Sequence, residues 1–477
     1  MKKAPLLEAL LKYHKEENLI LSMPGNKCGI GFLKDDLGKE FANNMGFLDI
    51  TENDPLDNLH HPEGVIKESQ ELLAKTYGGK KAFFMVNGSS GGNLISIFSA
   101  FNEGDEVIVE RNCHKSIYNG LILRKLKVTY IEPVIDEDRE IFLPPDEKNI
   151  YEAIKASKNP KGVILTYPNY FGISYNIENI IKDLKKKGLK IIIDGAHGAH
   201  FGISEKLPKR VTDIADYTIL SAHKTIPSLT QGGYLIVNDL ESDVEFYFNA
   251  FLTTSPSYLL MASLDYGRYY LDNYGETDYN KLINRAKIWR DKINSLGKVH
   301  ILLPEDLKEG YEIDLSRYLI LLPKGYSGHK FHDYLRSKKI QGEMSFSRGE
   351  VLIFSTFNKD SDFEKIYSVI ENLNMEELKE KTYSKFSKIT PEKVFEPYEV
   401  FKKKEKTLKI EDSIGCIAKE SIVPYPPGIP LVSPGEIITK EVVNIVSDYI
   451  SNNKDVIGVY NGKVKIIANE TLDCLIR

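Results

Sequence analysis

The chain has 477 residues, 42% of them hydrophobic and 27% charged, with a formal net charge of −5. That length leaves room for about three domains around a large core, and the composition excludes a disordered or fibrous chain. The small negative charge gives no general attraction to nucleic acid or to an anionic membrane.

The opening stretch "MKKAPLLEALLKYHKEEN" has its apolar run interrupted by Glu8 and Lys12, so it reads as an amphipathic helix and not a signal peptide. From residue 82 strands and helices alternate. "AFFMV" (82–86) predicts a strand, "GGNLISIFSAF" (91–101) a helix and "DEVIVE" (105–110) a strand. "KVTYIEP" (127–133), "KGVILTYP" (161–168) and "KIIID" (190–194) predict further strands. "NIENIIKDLKKKG" (176–188) predicts a helix with Asn176 as N-cap and Gly188 just past its end. Strands that are apolar on both faces and separated by helices indicate a doubly wound α/β domain with a mostly parallel sheet. "DYTILSA" and "GGYLIVN" lie close together without a helix between them, so one of the two is expected to run antiparallel.

After 265 comes a long helical pattern, "DYNKLINRAKIWRDKINSLG", then the strands "RYLILLP" and "EVLIFST", which suggests a second, smaller α/β layer. The expected division is an N-terminal arm over 1–60, a major domain over 61–265, a small α/β domain over 266–390 and a C-terminal domain over 391–477. In the last of these, "VPYPPGIPLVSPGE" (423–436) reads as a rigid extended loop. The lysine runs "KKKG" and "FKKKEK" read as solvated faces. Four scattered cysteines (Cys28, Cys113, Cys416, Cys474) form no CxxC pair, which argues against a disulfide framework and fits a reducing cytoplasm. No apolar stretch approaches the roughly 18 residues of a membrane span.

In open α/β sheets ligands gather beyond the carboxyl ends of the strands, so the residues after each strand carry the chemistry. "NGSSGGN" (87–93) after the first strand suits an anion, through small residues and free N–H groups at a helix start. It has neither the GK[ST] of a Walker loop nor GxGxxG spacing. "RNCHKS" places His114 at the sheet end, and "DGAHGAH" opens with Asp194, an acid too costly to bury unless paired. A metal site of Asp194, His197 and His200 lacks a further carboxylate, and no metal is expected. Lys224 follows Ser221 and His223 in "SAHKTIPSLTQGG", between two core strands.

Pyridoxal 5′-phosphate accounts for all four features. Its phosphate suits the Gly/Ser loop, an imidazole stacks on its ring, a carboxylate holds its ring nitrogen protonated, and a desolvated lysine forms the Schiff base. The chain resembles the Orn/Lys/Arg decarboxylases, fold-type-I pyridoxal-phosphate enzymes, in the shorter bacterial form. The resemblance rests on "SMPGNK" (22–27), "DNLHHPEGVIKESQ" (57–70), "FFMVNGSSGGN", "RNCHKS", "IIDGAHGAHFG" (192–202), "SAHKTIPSLTQGG", "TTSPSYLLMASLD" (253–265) and "VPYPPGIPLVSPGE". It implies an aspartate aminotransferase-like major domain with a seven-stranded sheet, and smaller C-terminal domains. It further implies Lys224 as the Schiff base, Asp194 on the pyridine nitrogen, and His114 and Ala196 on the two ring faces. Ser89, Ser90 and Gly91 would contact the phosphate, as would Ser221 and His223. His197 stands where the longer enzymes have tryptophan, and Ser90-Gly91 where many members have Ser-Thr. Glu420 would face the distal cation of a basic amino acid, and His223 or Lys224 would protonate the α-carbon.

The implied reaction is decarboxylation of a basic amino acid, arginine before lysine and ornithine, by a cytoplasmic homodimer whose sites lie near the subunit interface. Under that arrangement "SMPGNK" and "TTSPSY" would serve the neighbouring subunit. An aminotransferase or aldolase is the nearest alternative, the former needing an arginine such as Arg348, for which a surface or salt-bridged place is expected. A non-catalytic regulator of the same fold is a second, and a metal hydrolase built on Asp194, His197 and His200 is a third.

Overall fold

The computed structural model describes residues 4–380, 389–425, 430–451 and 455–471. Seven strands form the central sheet: β1 (Lys81–Met85), β2 (Glu106–Glu110), β3 (Lys127–Ile131), β4 (Pro160–Thr166), β5 (Lys190–Asp194), β6 (Tyr217–Leu220) and β7 (Gly233–Val237). Their order is β1-β7-β6-β5-β4-β2-β3. Most are runs of Val, Ile, Leu and Phe buried on both faces, which suits a sheet covered on each side. β7 pairs antiparallel with both β6 and β1, whereas the other pairings are parallel. A direct return from β6 to β7 needs no crossover helix, so residues 221–232 are left to shape the site.

Helix α1 (Gly88–Ala100) follows β1, α2 (Lys115–Arg124) follows β2, and α3 (Glu178–Lys186) precedes β5. The pattern misplaces the start of α3. Its N-cap is Ile177, and the peptide N–H of Asn176 donates to Gly310 O at 3.3 Å, extending the pairing of Ile173–Tyr175 with Tyr311–Ile313. Gly188 stands just past the helix end with φ +79°, as expected.

The small domain holds a four-stranded antiparallel sheet of His300–Ile301, Arg317–Leu321, Gly349–Ile353 and Met344–Phe346, in that spatial order. The long helix Glu276–Ser295 packs beside it. In the N-terminal stretch, Leu19–Leu21 pairs in parallel with Ile340–Gly342. Preceding it, the helix Pro5–His14 buries none of its residues. In the C-terminal domain, Glu405–Lys409 and Cys416–Ala418 both pair with Lys463–Thr471. "VPYPPGIPLVSPGE" begins as a strand, Val423–Tyr425, paired with Asp455–Ile457, and residues 426–429 of that motif lie outside the described residues, as does Cys474. Among the described residues no helix is long and apolar enough to cross a membrane.

Candidate active site

The carboxyl ends of β1, β2, β4, β5 and β6 open on one cavity of about 1470 Å³, lined also by residues of the small and C-terminal domains. At β1 the helix begins earlier than its sequence suggests, so Ser89, Ser90 and Gly91 form its first turn. Gly88 allows this by adopting φ +71° directly after Asn87. The Asn87 side chain does not cap the helix, since its amide donates to Phe251 O at 2.8 Å. First-turn N–H groups therefore face the cavity without a side-chain acceptor, an arrangement suited to an anion. Ser89 Oγ lies 2.7 Å from Ser221 Oγ, joining the starts of two loops on the cavity wall. Ser90 also lines the cavity, and Gly91 is buried one residue further in.

Asp194 ends β5 and is 3% exposed. Its Oδ2 accepts from Asn93 Nδ2 at 3.0 Å and its Oδ1 from Ala196 N at 3.2 Å. Asn93 also donates to Ser116 Oγ at 2.9 Å, and Ser116 Oγ lies 2.8 Å from His114 Nδ1. His114 caps α2 by accepting from Ser116 N through that same Nδ1, so its proton sits on Nε2. Burial lowers its pKa, against the opposing pull of Asp194.

Lys224 lies in the one-turn helix Ala222–Thr225, and its Nζ is 3.0 Å from His197 Nε2. Burial lowers the pKa of its amine, with Asp194 and Glu343 acting in the opposite direction. His223 Nδ1 sits 2.7 Å from Gly232 O and donates to it, and burial lowers this imidazole's pKa too. Within its own chain, "SMPGNK" packs on the Lys224 loop. Gly25 N donates to His223 O at 2.7 Å, and a Cβ at Gly25 would lie 2.6 Å from the Thr225 carbonyl carbon. Asn26 Nδ2 donates to Ser228 O at 2.7 Å, and Met23 lines the cavity.

His197 is held from two sides. Its ring meets Tyr170 edge-on with centroids 4.8 Å apart, and Tyr170 OH donates to Glu343 Oε1 at 2.6 Å. Its carbonyl accepts from Arg317 Nη2 at 3.3 Å. Arg317 in turn pairs with Asp314, which accepts from His200 Nε2 at 3.0 Å, all three side chains being fully buried. His200 thus joins a network at the small domain while His197 faces Lys224, so Asp194, His197 and His200 do not converge on a metal.

Three further expectations need revision. Glu420 lines the cavity, but its carboxylate is already paired with Lys465 at 2.8 Å. Arg348 is buried, 8% exposed, and donates to the carbonyls of Asp138 and Leu322, so it is neither a surface residue nor a substrate clamp. Lys402, Lys403 and Lys404 of "FKKKEK" are solvated in part, yet they also form part of the cavity wall.

A buried carboxylate with no cation in hydrogen-bond contact among the described residues, a lysine amine in the same cavity and a helix start without a side-chain cap fit pyridoxal phosphate by donor chemistry. The sequence profile of Orn/Lys/Arg decarboxylase, major domain, matches residues 4–342, and that of the C-terminal domain matches 376–462. The chain belongs to the Orn/Lys/Arg decarboxylase family. It is 33% identical over 97% of its length to a Bacillus subtilis (strain 168) protein named uncharacterized protein YaaO, covering 97% of that protein. It is 31% identical to a Halalkalibacterium halodurans arginine decarboxylase, over 91% of each chain. The Francisella novicida lysine decarboxylase LdcF superposes with a TM-score of 0.76 at 20% identity, covering 93% of this chain and 78% of that one. This family member is a pyridoxal-phosphate-dependent decarboxylase with the fold-type-I architecture.

Asn93, Ser116, Tyr170, Glu343 and Arg317 escaped the sequence reading. Asn93 left a signal, a polar residue within the buried stretch "GGNLISI". Ser116 stands two residues after His114 in "RNCHKS", and Tyr170, Glu343 and Arg317 join the site only through contacts distant in sequence.

Proposed function

We propose that the enzyme decarboxylates arginine to agmatine and carbon dioxide, with lysine to cadaverine next. The observation that carries this is the 31% identity, end to end, with a relative named arginine decarboxylase. On this reading Lys224 would hold the cofactor covalently and Asp194 would face its ring nitrogen. His114 and Ala196, with His197 beside them, would flank the ring. Ser89, Ser90, Gly91, Ser221 and His223 would surround the phosphate. When bound, the cofactor supplies an electron sink for the pair left behind as carbon dioxide departs. Lys224 Nζ or His223 Nε2 would return a proton to the α-carbon, since His223 Nδ1 is committed to Gly232 O. Glu420 would reach the substrate's distal cation only by sharing its charge with Lys465.

We further propose a cytoplasmic homodimer with sites near the subunit interface. Leu6, Leu7, Leu10 and Leu11 on the N-terminal helix, with Leu33, Leu37 and Phe47 beyond it, leave an apolar surface for a second copy. Cys28, Cys113 and Cys416 are unpaired, which suits a reducing compartment. Incubating purified enzyme with arginine, lysine and ornithine, and identifying the amine formed, tests the substrate assignment. Agmatine is expected, and cadaverine or putrescine as the preferred product refutes it. Light scattering should give twice the chain's 54.2 kDa.

A further inference from the structure

We infer that His197 donates a hydrogen bond to Lys224 and so presets that lysine as a neutral amine, ready to capture the cofactor. The inference rests on the cofactor assignment above and adds a role for a residue beside the lysine. His197 is 5% exposed, and its Nδ1 is enclosed by protein without a hydrogen-bond partner among the described residues. A neutral imidazole carries one N–H and one lone pair. Among backbone groups orphaned buried N–H donors are rarer than under-satisfied acceptors, and by the same preference we assign the lone pair to Nδ1 and the proton to Nε2. That Nε2–H points at Lys224 Nζ, 3.0 Å away. A donor can bond only to a lone pair, and an ammonium has none. The lysine is therefore an amine in this geometry.

The imidazolium alternative fails on the same contacts. It would place an unpaired N–H at Nδ1 and a second positive charge against Lys224 and Arg317. The titratable and charged groups facing the pair are Asp194 and Glu343, which favour a proton on Lys224, and Arg317, which opposes it, with His114 and His223 near His197. Burial lowers the proton affinity of both members of the pair. Tyr170 and Arg317 fix the ring and the backbone of His197, so the donor stays aimed.

The test uses enzyme stripped of cofactor and follows the visible band that forms when pyridoxal 5′-phosphate is added back, as a function of pH. His197→Phe keeps the packing and removes the donor. Its loading rate at pH 7 should fall about tenfold, with the pH midpoint raised by about one unit. His197→Gln, whose amide N–H donates from a similar place, should restore most of the rate. Nitrogen NMR of the stripped wild-type protein should show the His197 proton on Nε2. An unchanged pH midpoint in His197→Phe, or a proton found on Nδ1, overturns the inference while leaving the cofactor assignment standing. Failure of the wild-type protein to form any band is a different result, which overturns the cofactor assignment itself.

Discussion

Arg111 and Glu436 form a bidentate pair with N–O distances of 2.6 and 2.5 Å, at 2% and 1% exposure. Arg111 follows β2 directly and stands three residues before His114, whereas Glu436 belongs to the C-terminal domain. Glu436 also accepts from Ser433 N at 2.7 Å, and the guanidinium lies 5.3 Å from the centre of the Tyr130 ring. Glu436→Gln leaves Arg111 charged, buried and without its counter-ion. Removing one partner of such a pair costs about 3–5 kcal/mol. For a cooperative unit of about 150–250 residues each kcal/mol is about 2–4 °C, so the melting temperature should fall by about 6–20 °C. Replacing both residues by methionine removes the stranded charge and should recover most of the loss. The assay is a double-mutant cycle on Arg111→Met, Glu436→Met and Arg111→Met/Glu436→Met, with Glu436→Gln beside it, read by differential scanning calorimetry at fixed protein concentration and cofactor loading. A loss below about 1 kcal/mol for Glu436→Gln, or a double variant as unstable as the sum of both singles, refutes the reasoning.

Glu110 is buried, its carboxyl is pushed by burial from 4.5 up to about 7, and its Oε2 accepts from Thr166 N at 2.8 Å. A folded-state pKa above the unfolded one means that its stabilisation is complete below about 4.5 and is lost as pH rises through about 7. Glu110→Gln should therefore remove up to roughly 3 kcal/mol of the stability loss between pH 5 and pH 8, and an unchanged difference in melting temperature between these pH values speaks against it. Asp314→Asn strands Arg317 at zero exposure and should cost about 3–5 kcal/mol in urea unfolding; wild-type stability would show that the buried triad is not ionic. Asn93→Ala removes the hydrogen bonds to Asp194 and Ser116 and should cost about 1–3 kcal/mol, with faster cofactor loss on dialysis and an unchanged far-ultraviolet dichroism spectrum. Cofactor retention equal to wild type would place Asn93 outside the support of Asp194.

The central sheet was legible because its strands are short runs that are apolar on both faces, and because helices intervene between most of them. The candidate residues converge for the same reason. Ser89, His114 and Ser221 each lie just beyond a strand and Asp194 ends one, and those strands are parallel, so a pattern read along one dimension locates one edge of the sheet. What the pattern could not supply is whatever packing decides. Asn176 has the composition of an N-cap, but its N–H is drawn into the strand pairing at Gly310. Glu420 has the charge for a basic substrate, but Lys465, 45 residues later, takes it. The contact between His197 and Lys224 spans 27 residues and depends on a ring orientation set by Tyr170, which itself depends on Glu343 in the small domain.

Those long-range contacts follow a common rule. Each accessory region is fastened to a loop that carries the site, and the C-terminal domain also holds the edge strand β3, where Glu396 Oε2 accepts from Val128 N at 3.0 Å. The C-terminal domain grips Arg111, next to the loop of His114; the small domain grips the His197 carbonyl through Arg317; the N-terminal segment grips the His223 carbonyl through Gly25. Two of these fastenings involve buried charges, which are costly to leave unpaired, so partial undocking is opposed even where little apolar area is at stake. Domain docking and site geometry are therefore coupled in this fold. Loosening any one of the three junctions should disturb the imidazole or the lysine it supports before it unfolds the sheet.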